Sequence, residues 1–252
     1  MAIQGDTVGR YLSGSDILIK DCNIFINQPT IKTILQYGEN NFFAAVNVFA
    51  QTDKMLQTIL EEDPSAKILS EFNLFLLIYQ EEANVQNQIN DFFNLVFPQY
   101  EIRITNNSID FIQEQDKKQT IRGQVNPFTY PALKQTIVEL FLPYTISQEE
   151  YNTKSKRANE IAEKLKKGRQ KVAAQKNEDD TSLFGTYISI LSIGMNIDMR
   201  ILFNYTPFQL YDSFMRYNNK VAQDRYFAIT TIPFADTSNI EAPDEWTANL
   251  YK

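Results

Sequence analysis

The amino-acid sequence predicts a predominantly helical α+β protein with short antiparallel β-hairpins near residues 16–27 and 100–125. Apolar residues recur at helical spacing over most of the chain, and their period changes to two in those two regions. The 252 residues are 43% hydrophobic, which is enough apolar material for a substantial core. An all-α fold is the competing interpretation, because both strand regions are short.

The first hairpin is predicted from two β-prone runs, residues 16–20 and 22–27. Pro29 follows them, and proline is favoured at the first position of a helix because its missing N–H needs no partner there. We expect this helix to turn Ile34 inward and to end at Gly38, which suits a C-terminal cap.

Three further stretches in the first half of the chain have helical periodicity. A helix is predicted over about residues 39–51, and residues 53–97 read as helical throughout. Within that stretch Ser70 is a candidate N-terminal cap. Another helix is expected over about residues 131–142.

The second strand region begins where apolar and polar residues start to alternate. Ile102 and Ile104 belong to one predicted strand, and Asn106 with Asn107 forms a turn. Residues 109–112 and 119–125 are expected to return as two more strands, so that this region forms an antiparallel sheet.

Capping signals organise the C-terminal part. Ser147 and Glu150 have the spacing of a capping box, which opens a long polar helix to about residue 177. Residues 183–193 are predicted as an apolar helix. Thr206 repeats the capping signal with proline at the first helical position. This last helix is expected to present on one face Leu210, Tyr211, Phe214 and Met215.

These patterns divide the chain into three regions: an N-terminal α+β domain at 1–145, a basic helix or linker at 146–180, and a C-terminal helical region at 181–252. Large apolar residues at helical spacing give the predicted core. They are Ile34, Phe42, Phe75, Phe92, Leu140, Leu191 and Phe214.

The residues that most enzymes depend on are sparse. The sequence contains no histidine, which is the commonest general base at neutral pH and the commonest metal ligand. The single Cys22 cannot form a zinc site or an internal disulfide, and is interpreted as a small buried residue in a strand. No phosphate-binding loop is present. We therefore expect no enzymatic activity, no catalytic residue, no cofactor and no metal.

The sequence also predicts where in the cell the protein is located. No secretory signal is visible at the N-terminus, and no apolar run approaches the roughly 20 residues that span a bilayer. The net charge of -7 opposes binding to nucleic acid or anionic membranes. We therefore expect a cytoplasmic protein that binds other proteins rather than membranes or nucleic acid.

Residues 154–176 are the exception to the acidic character of the chain. They contain nine basic residues against Glu160 and Glu163, a net charge of +7. A helix here would carry a thin apolar stripe and a positive face suited to an acidic protein surface. The candidate partner-binding residues are Lys164, Lys166, Lys167 and Arg169. A merely solvated helix and a nucleic-acid-binding helix are the two alternatives.

Several short patterns together resemble a group of tail-gene proteins from tailed bacteriophages of Gram-positive hosts, many of which are labelled tail assembly chaperones. The resemblance spans most of the chain as scattered pieces. They are residues 28–34, the stretch from Gly38 to Phe43, residues 159–164 of the basic segment, residues 183–195, residues 206–214, and Trp246 near the C-terminus.

The resemblance implies a non-enzymatic, chaperone-like factor that acts in the host cell cytoplasm during virion morphogenesis. Such a protein binds the tape measure protein and shields it until tail tube subunits polymerise around it. The alternative is a structural virion protein, such as a tail, connector or baseplate subunit, which would be located in the virion. Self-association into a homo-oligomer is compatible with both.

The basic segment leads to the first testable prediction. Replacing Lys164, Lys166, Lys167 and Arg169 together by glutamate should slow association with an acidic protein partner at low salt, because charge pairing mainly steers encounter. Stability should change little, since exposed charges contribute little to it. Stopped-flow association rates and urea unfolding measure the two effects. A duplex-DNA gel shift at about 100 mM salt that the substitutions abolish would instead support the nucleic-acid alternative.

Overall fold

The described residues fall into two units. The structure is a computed structural model that describes residues 3, 5–62, 70–81, 83–115, 118–142, 182–232, 242–248 and 250–251. Of these, the first unit contains residues up to 142 together with 200–209, and the second contains 182–199 and 210–251. The basic segment 154–176, with the four candidate partner-binding residues, lies outside the described residues.

The element order confirms the predicted class, a predominantly helical α+β fold with two small antiparallel sheets. The first unit contains α1 (Gly5–Ser13), β1 (Ile17–Ile19), β2 (Ile24–Ile26), α2 (Ile31–Tyr37), α3 (Glu39–Glu62), α4 (Glu71–Glu81), α5 (Ala83–Val96), β3 (Glu101–Ile104), β4 (Ile109–Gln115), β5 (Lys118–Val125) and α6 (Tyr130–Phe141). The chain continues, after residues that are not described, with α7 (Leu183–Met195), α8 (Met199–Leu202) and α9 (Pro207–Thr230).

Both predicted strand regions are confirmed. Strands β1 and β2 pair with Ile17 opposite Ile26 and Ile19 opposite Ile24, and these four side chains point inward. Strands β3, β4 and β5 form the second sheet in that order. The turn between β3 and β4 is closed by the N–H of Thr105, which donates to the carbonyl of Ser108 at 2.8 Å.

The caps explain where several helices begin and end. Ser70 accepts a hydrogen bond from the N–H of Asn73 at 3.1 Å, as predicted for the start of α4. Gly38 ends α2 with a φ of 113°, a region that glycine enters without a steric penalty. Thr206 and Gln209 exchange side-chain and backbone hydrogen bonds at the start of α9, a reciprocal capping box.

Some local predictions were wrong. Pro29 lies outside its helix, because Thr30 is the N-terminal cap and its hydroxyl accepts from the N–H of Thr33. Helix α3 continues through residue 52 without a break, since Thr52 is buried and its hydroxyl donates to the carbonyl of Phe49. Helix α1 was not predicted, because Gly5 and Gly9 lower its helix propensity.

The core of the first unit is aromatic. The ring of Phe49 on α3 lies 5.1 Å from that of Phe75 on α4. It lies 6.0 and 5.9 Å from Phe92 and Phe93 on α5, and 6.3 Å from Tyr130 on α6. The buried residues of the predicted core in this unit are Ile34, Phe42, Phe75, Phe92 and Leu140, and Leu191 is buried in the second unit. Phe214 is the exception and is only partly buried.

Hydrogen bonds and ion pairs between side chains connect the helices of this unit. Tyr11 on α1 donates to the Glu139 carboxylate on α6 at 2.7 Å, and Gln135 donates to the other oxygen. The ammonium of Lys134 lies 2.9 Å from the Glu71 carboxylate and 3.4 Å from that of Asp53. Because burial of an unpaired charge is costly, these pairings allow charged side chains to lie at the edge of an aromatic core.

Cys22 is buried as predicted, but it lies in a 3-10 turn, Lys20–Cys22, rather than in a strand. Its thiol donates to the carbonyl of Thr129 at 3.4 Å. Burial raises the pKa of Cys22 to about 11, so the thiol is neutral at physiological pH. The thiol therefore acts as a packing group between the first hairpin and the start of α6.

The two sheets approach each other at Gly123 on β5. A Cβ atom at this position would lie 2.3 Å from the carbonyl oxygen of Cys22 and 2.4 Å from the side chain of Ile24. No real Cβ tolerates such contacts with backbone, so glycine is required for the sheet to reach the hairpin. Close to this position the β4–β5 register shifts, between Phe111 and Ile112.

The contact generates the second prediction. Gly123→Ala should destabilise the first unit by about 1–3 kcal/mol, the usual cost of overpacking. Gly9→Ala on α1 is the matched control, since nothing lies within 4 Å of its added Cβ. Alanine there should stabilise the helix by about 0.5–1 kcal/mol. Urea unfolding followed by circular dichroism measures both; equal midpoints for the two variants would show that the Gly123 contact is wrong.

Candidate protein-binding surface

Helix α7 in the second unit is predominantly apolar and carries no charged residue. Between Ser182, which caps it by accepting from the N–H of Gly185 at 2.8 Å, and Ile197, the sequence contains no charged residue. A helix this rich in apolar residues and without charge is normally covered over much of its surface by other protein or by lipid. Its side chains therefore indicate which surface of this unit is suited to a partner.

One face of α7 is buried. Phe184, Ile188 and Leu191 follow the i, i+4, i+7 spacing of a single helix face and are almost fully buried. Tyr187 beside this face stacks on Phe214 of α9, with ring centroids 4.1 Å apart. This stacking accounts for the partial burial of Phe214, which covers the edge of the helix rather than filling the core.

The opposite face of α7 is exposed. Ile190 and Ile193 lie about half a turn away from the buried face, and Ile193 is 80% exposed. Met195 at the end of the helix is also exposed, but its position places it on the same side as Phe184 and Leu191. We call the pair Ile190 and Ile193 the outer face of α7. An exposed isoleucine is ordinary alone, but a patch on a charge-free helix is typical of an interaction site.

The end of α7 is fixed against α9 by a close contact. A Cβ atom at Gly194 would lie 2.2 Å from the ring of Tyr217. Asn196 then adopts a left-handed conformation, with a φ of 54°, and ends the helix. The hydroxyl of Ser192 donates to the carbonyl of Ile197 at 2.8 Å. These contacts hold the outer face on a rigid helix rather than on a loop.

The C-terminal segment, described over residues 242–248 and 250–251, lies along α9 and is held by Asp212 and Arg216. Arg216 binds the Asp212 carboxylate at 2.9 Å and donates to the carbonyl of Trp246 at 2.8 Å. The phenol of Tyr251 donates to the other Asp212 oxygen at 3.2 Å. Asp212 and Tyr251 are both buried. Because Gln223 donates to the carbonyl of Asp244, the segment runs antiparallel to α9.

The titration behaviour of Tyr251 follows from this environment. Burial, and then the neighbouring Asp212 carboxylate, raise the pKa of Tyr251 well above its ordinary value. The phenol therefore stays protonated and acts as the donor to Asp212 throughout the physiological range. A neutral phenol and a guanidinium together satisfy a carboxylate that would otherwise be buried without compensation.

Buried carboxylates elsewhere in the described part of the chain have structural partners. Glu139 accepts from Tyr11 and Gln135, and Asp110 accepts from Ser108 and Gln124. Over these described stretches, no group of three or more Cys, Asp or Glu residues is arranged to hold a metal ion. Likewise, none of the described helices is long and apolar enough to cross a membrane.

The sequence prediction and the structure select different surfaces. The predicted partner-binding residues lie outside the described residues, so that prediction stands untested. The outer face of α7 was within a helix that the sequence predicts, but its exposure was not foreseen. The available signal was the lack of any charged residue from Leu183 to Ile197, which leaves only small hydroxyl side chains to face solvent beside the isoleucines.

The third prediction concerns the C-terminal segment. Tyr251→Phe should detach it partly, because the buried Asp212 loses a hydrogen bond worth about 1.5–3 kcal/mol to a charged group. Hydrogen exchange at the amides of residues 242–248 should accelerate, as should proteolytic trimming of the C-terminus. The matched control is Tyr226→Phe on α9, which removes a phenol that lacks such a bond. Equal exchange in both variants would refute the anchoring role.

One part of the chain matches the model of a known protein family. Residues 175–251, fewer than a third of the 252, match the family model described as YomV second domain. This is a phage-derived family, and the match is consistent with a phage protein. The matched residues include α7, α8, α9 and the C-terminal segment. No curated protein and no solved structure matches the chain.

Proposed function

We propose that this chain is a non-enzymatic phage protein that binds other phage proteins during tail assembly, with the tape measure protein as its partner. The observation that carries the proposal is the outer face of α7, an exposed apolar surface on a rigid, charge-free helix. The phage-derived family matched by residues 175–251 supports the phage context. The absence of histidine supports a binding role rather than catalysis.

The chemistry of the outer face suits an apolar helical partner. Isoleucines three residues apart form a narrow ridge, and such ridges pack against an amphipathic helix through i, i+3 and i+4 anchors. By resemblance, the tape measure protein is long and partly apolar, and it needs to be shielded until the tail tube forms around it. A temporary apolar contact in the host cytoplasm meets that requirement, and tail tube subunits would displace it.

The fourth prediction tests this surface. Ile193→Lys should weaken binding to the tape measure protein of the same phage at least tenfold, because a lysine buried against an apolar partner lacks a counter-charge. The fold should persist, since the side chain is 80% exposed and a cation near a helix C-terminus is favourable. Co-expression followed by pull-down and titration of the purified proteins measures the effect.

The control for this test is Phe128→Lys, which places the same charge on a 93% exposed aromatic residue of the first unit. It should bind like the unaltered protein. If both variants bind equally well, the outer face of α7 is not the contact. Mass spectrometry of purified virions separates the two roles: a stoichiometric amount of this chain in particles would reject a temporary assembly factor and favour a structural virion subunit.

A further inference from the structure

The first unit contains a surface cleft that the proposed function does not use. Its volume is about 580 Å³, within the range of pockets that hold a small ligand or a few side chains of a peptide. Helix α2 forms one wall and residues 200–204 form the other. The lining residues are Lys32, Leu35, Gln36, Arg200, Phe203 and Asn204.

The walls are held together by main-chain hydrogen bonds. The N–H of Ile31 donates to the carbonyl of Tyr205 at 2.8 Å, and that of Lys32 donates to the carbonyl of Phe203 at 2.9 Å. On the far wall, the side-chain amide of Asn204 donates to the carbonyl of Arg200 at 3.0 Å. The cleft is therefore formed before any ligand arrives, which lowers the entropic cost of binding.

The lining combines an apolar floor with a positive rim. Leu35 and Phe203 are partly buried and supply the apolar surface. Lys32 is exposed at the rim, and the ion pairs between described residues do not include its ammonium. Arg200 lies on the opposite wall, and no acidic residue lines the cleft. In a chain with a net charge of -7, the Lys32 ammonium gives this cleft a local positive charge, which favours acidic ligands.

We propose that this cleft binds a short acidic segment of a partner protein, with a carboxylate at Lys32 and a neighbouring apolar side chain on Leu35 and Phe203. The amide of Gln36 is placed to pair with the backbone of such a segment. A nucleotide fits less well, because the chain has no phosphate-binding loop. The proposal is independent of the tape measure protein, since the cleft lies in the first unit and the outer face of α7 in the second.

The test uses the full-length protein and three synthetic, fluorescein-labelled peptides followed by fluorescence anisotropy. The probe is Ser-Glu-Asp-Leu-Phe-Glu-Asp-Ser. One control peptide replaces its acids by Gln and Asn, and the other replaces Leu-Phe by Ser-Ser. We expect the probe to bind at least tenfold more tightly than either control, and its affinity to fall as salt rises.

Protein variants locate the site. Lys32→Gln should weaken the probe severalfold and Lys32→Glu at least tenfold, whereas Lys54→Glu should have no effect. Lys54 is a matched exposed lysine on α3, about 22 Å along that helix from its start at 1.5 Å per residue. Folding should survive Lys32→Glu, because an acidic residue in the first turn of a helix is favourable.

Three results would overturn the proposal. The first is equal affinity for the probe and its neutral counterpart, and the second is probe binding that Lys32→Glu leaves unchanged. The third is failure of the probe while ATP or inorganic phosphate binds in a manner that depends on Lys32, which would assign the cleft to a small anion. Because no tape measure protein is present in the assay, none of these results depends on the proposed tail role.

Discussion

The packing of aromatic rings around Phe49 is the interaction on which the first unit depends. Phe49 on α3 contacts rings from α4, α5 and α6, so one side chain joins the four longest helices of this unit. Aromatic pairs at these distances contribute about 0.5–1.5 kcal/mol each beyond the area that they bury. The remaining elements are arranged around this centre: Phe97 of the segment after α5 lies 4.9 Å from Phe111 of β4, which attaches the sheet.

Local chemistry made much of this fold predictable. Ser70, Thr206 and Gly38 make their capping hydrogen bonds with residues at most four positions away in the chain. Such local caps can be recognised from the sequence alone. The alternation of apolar residues likewise revealed both strand regions. Sequence reasoning failed where a distant contact decides the outcome. Helix α1 depends on Tyr11, whose phenol binds Glu139 on α6, a partner 128 residues away. A pattern among neighbouring residues of the sequence cannot reveal such a bond.

The candidate surfaces were harder to predict for the same reason. Helical spacing identifies α7 and places Leu191 inside, but spacing cannot tell whether the other side of an apolar helix meets solvent. The cleft is harder still, because its walls come from residues 32–36 and 200–204, which are far apart in the sequence. The basic segment is the clearest charge pattern in the sequence, and such a pattern can be recognised without knowledge of the fold. Its role remains a prediction of the sequence.

The boundary of the matched family does not coincide with the boundary between the two units. Residues 200–209 lie inside the family match but belong to the first unit. There Phe208 packs edge-on against Tyr11, with ring centroids 5.2 Å apart, and Gln209 donates to the carbonyl of Leu12. Leu202 and Phe208 are fully buried. A fragment limited to residues 175–251 would expose these side chains to water, at a cost of about 1.5–3 kcal/mol for each. The family-matched segment therefore requires the first unit in order to bury its own residues, and the cleft exists only where the two parts of the sequence meet.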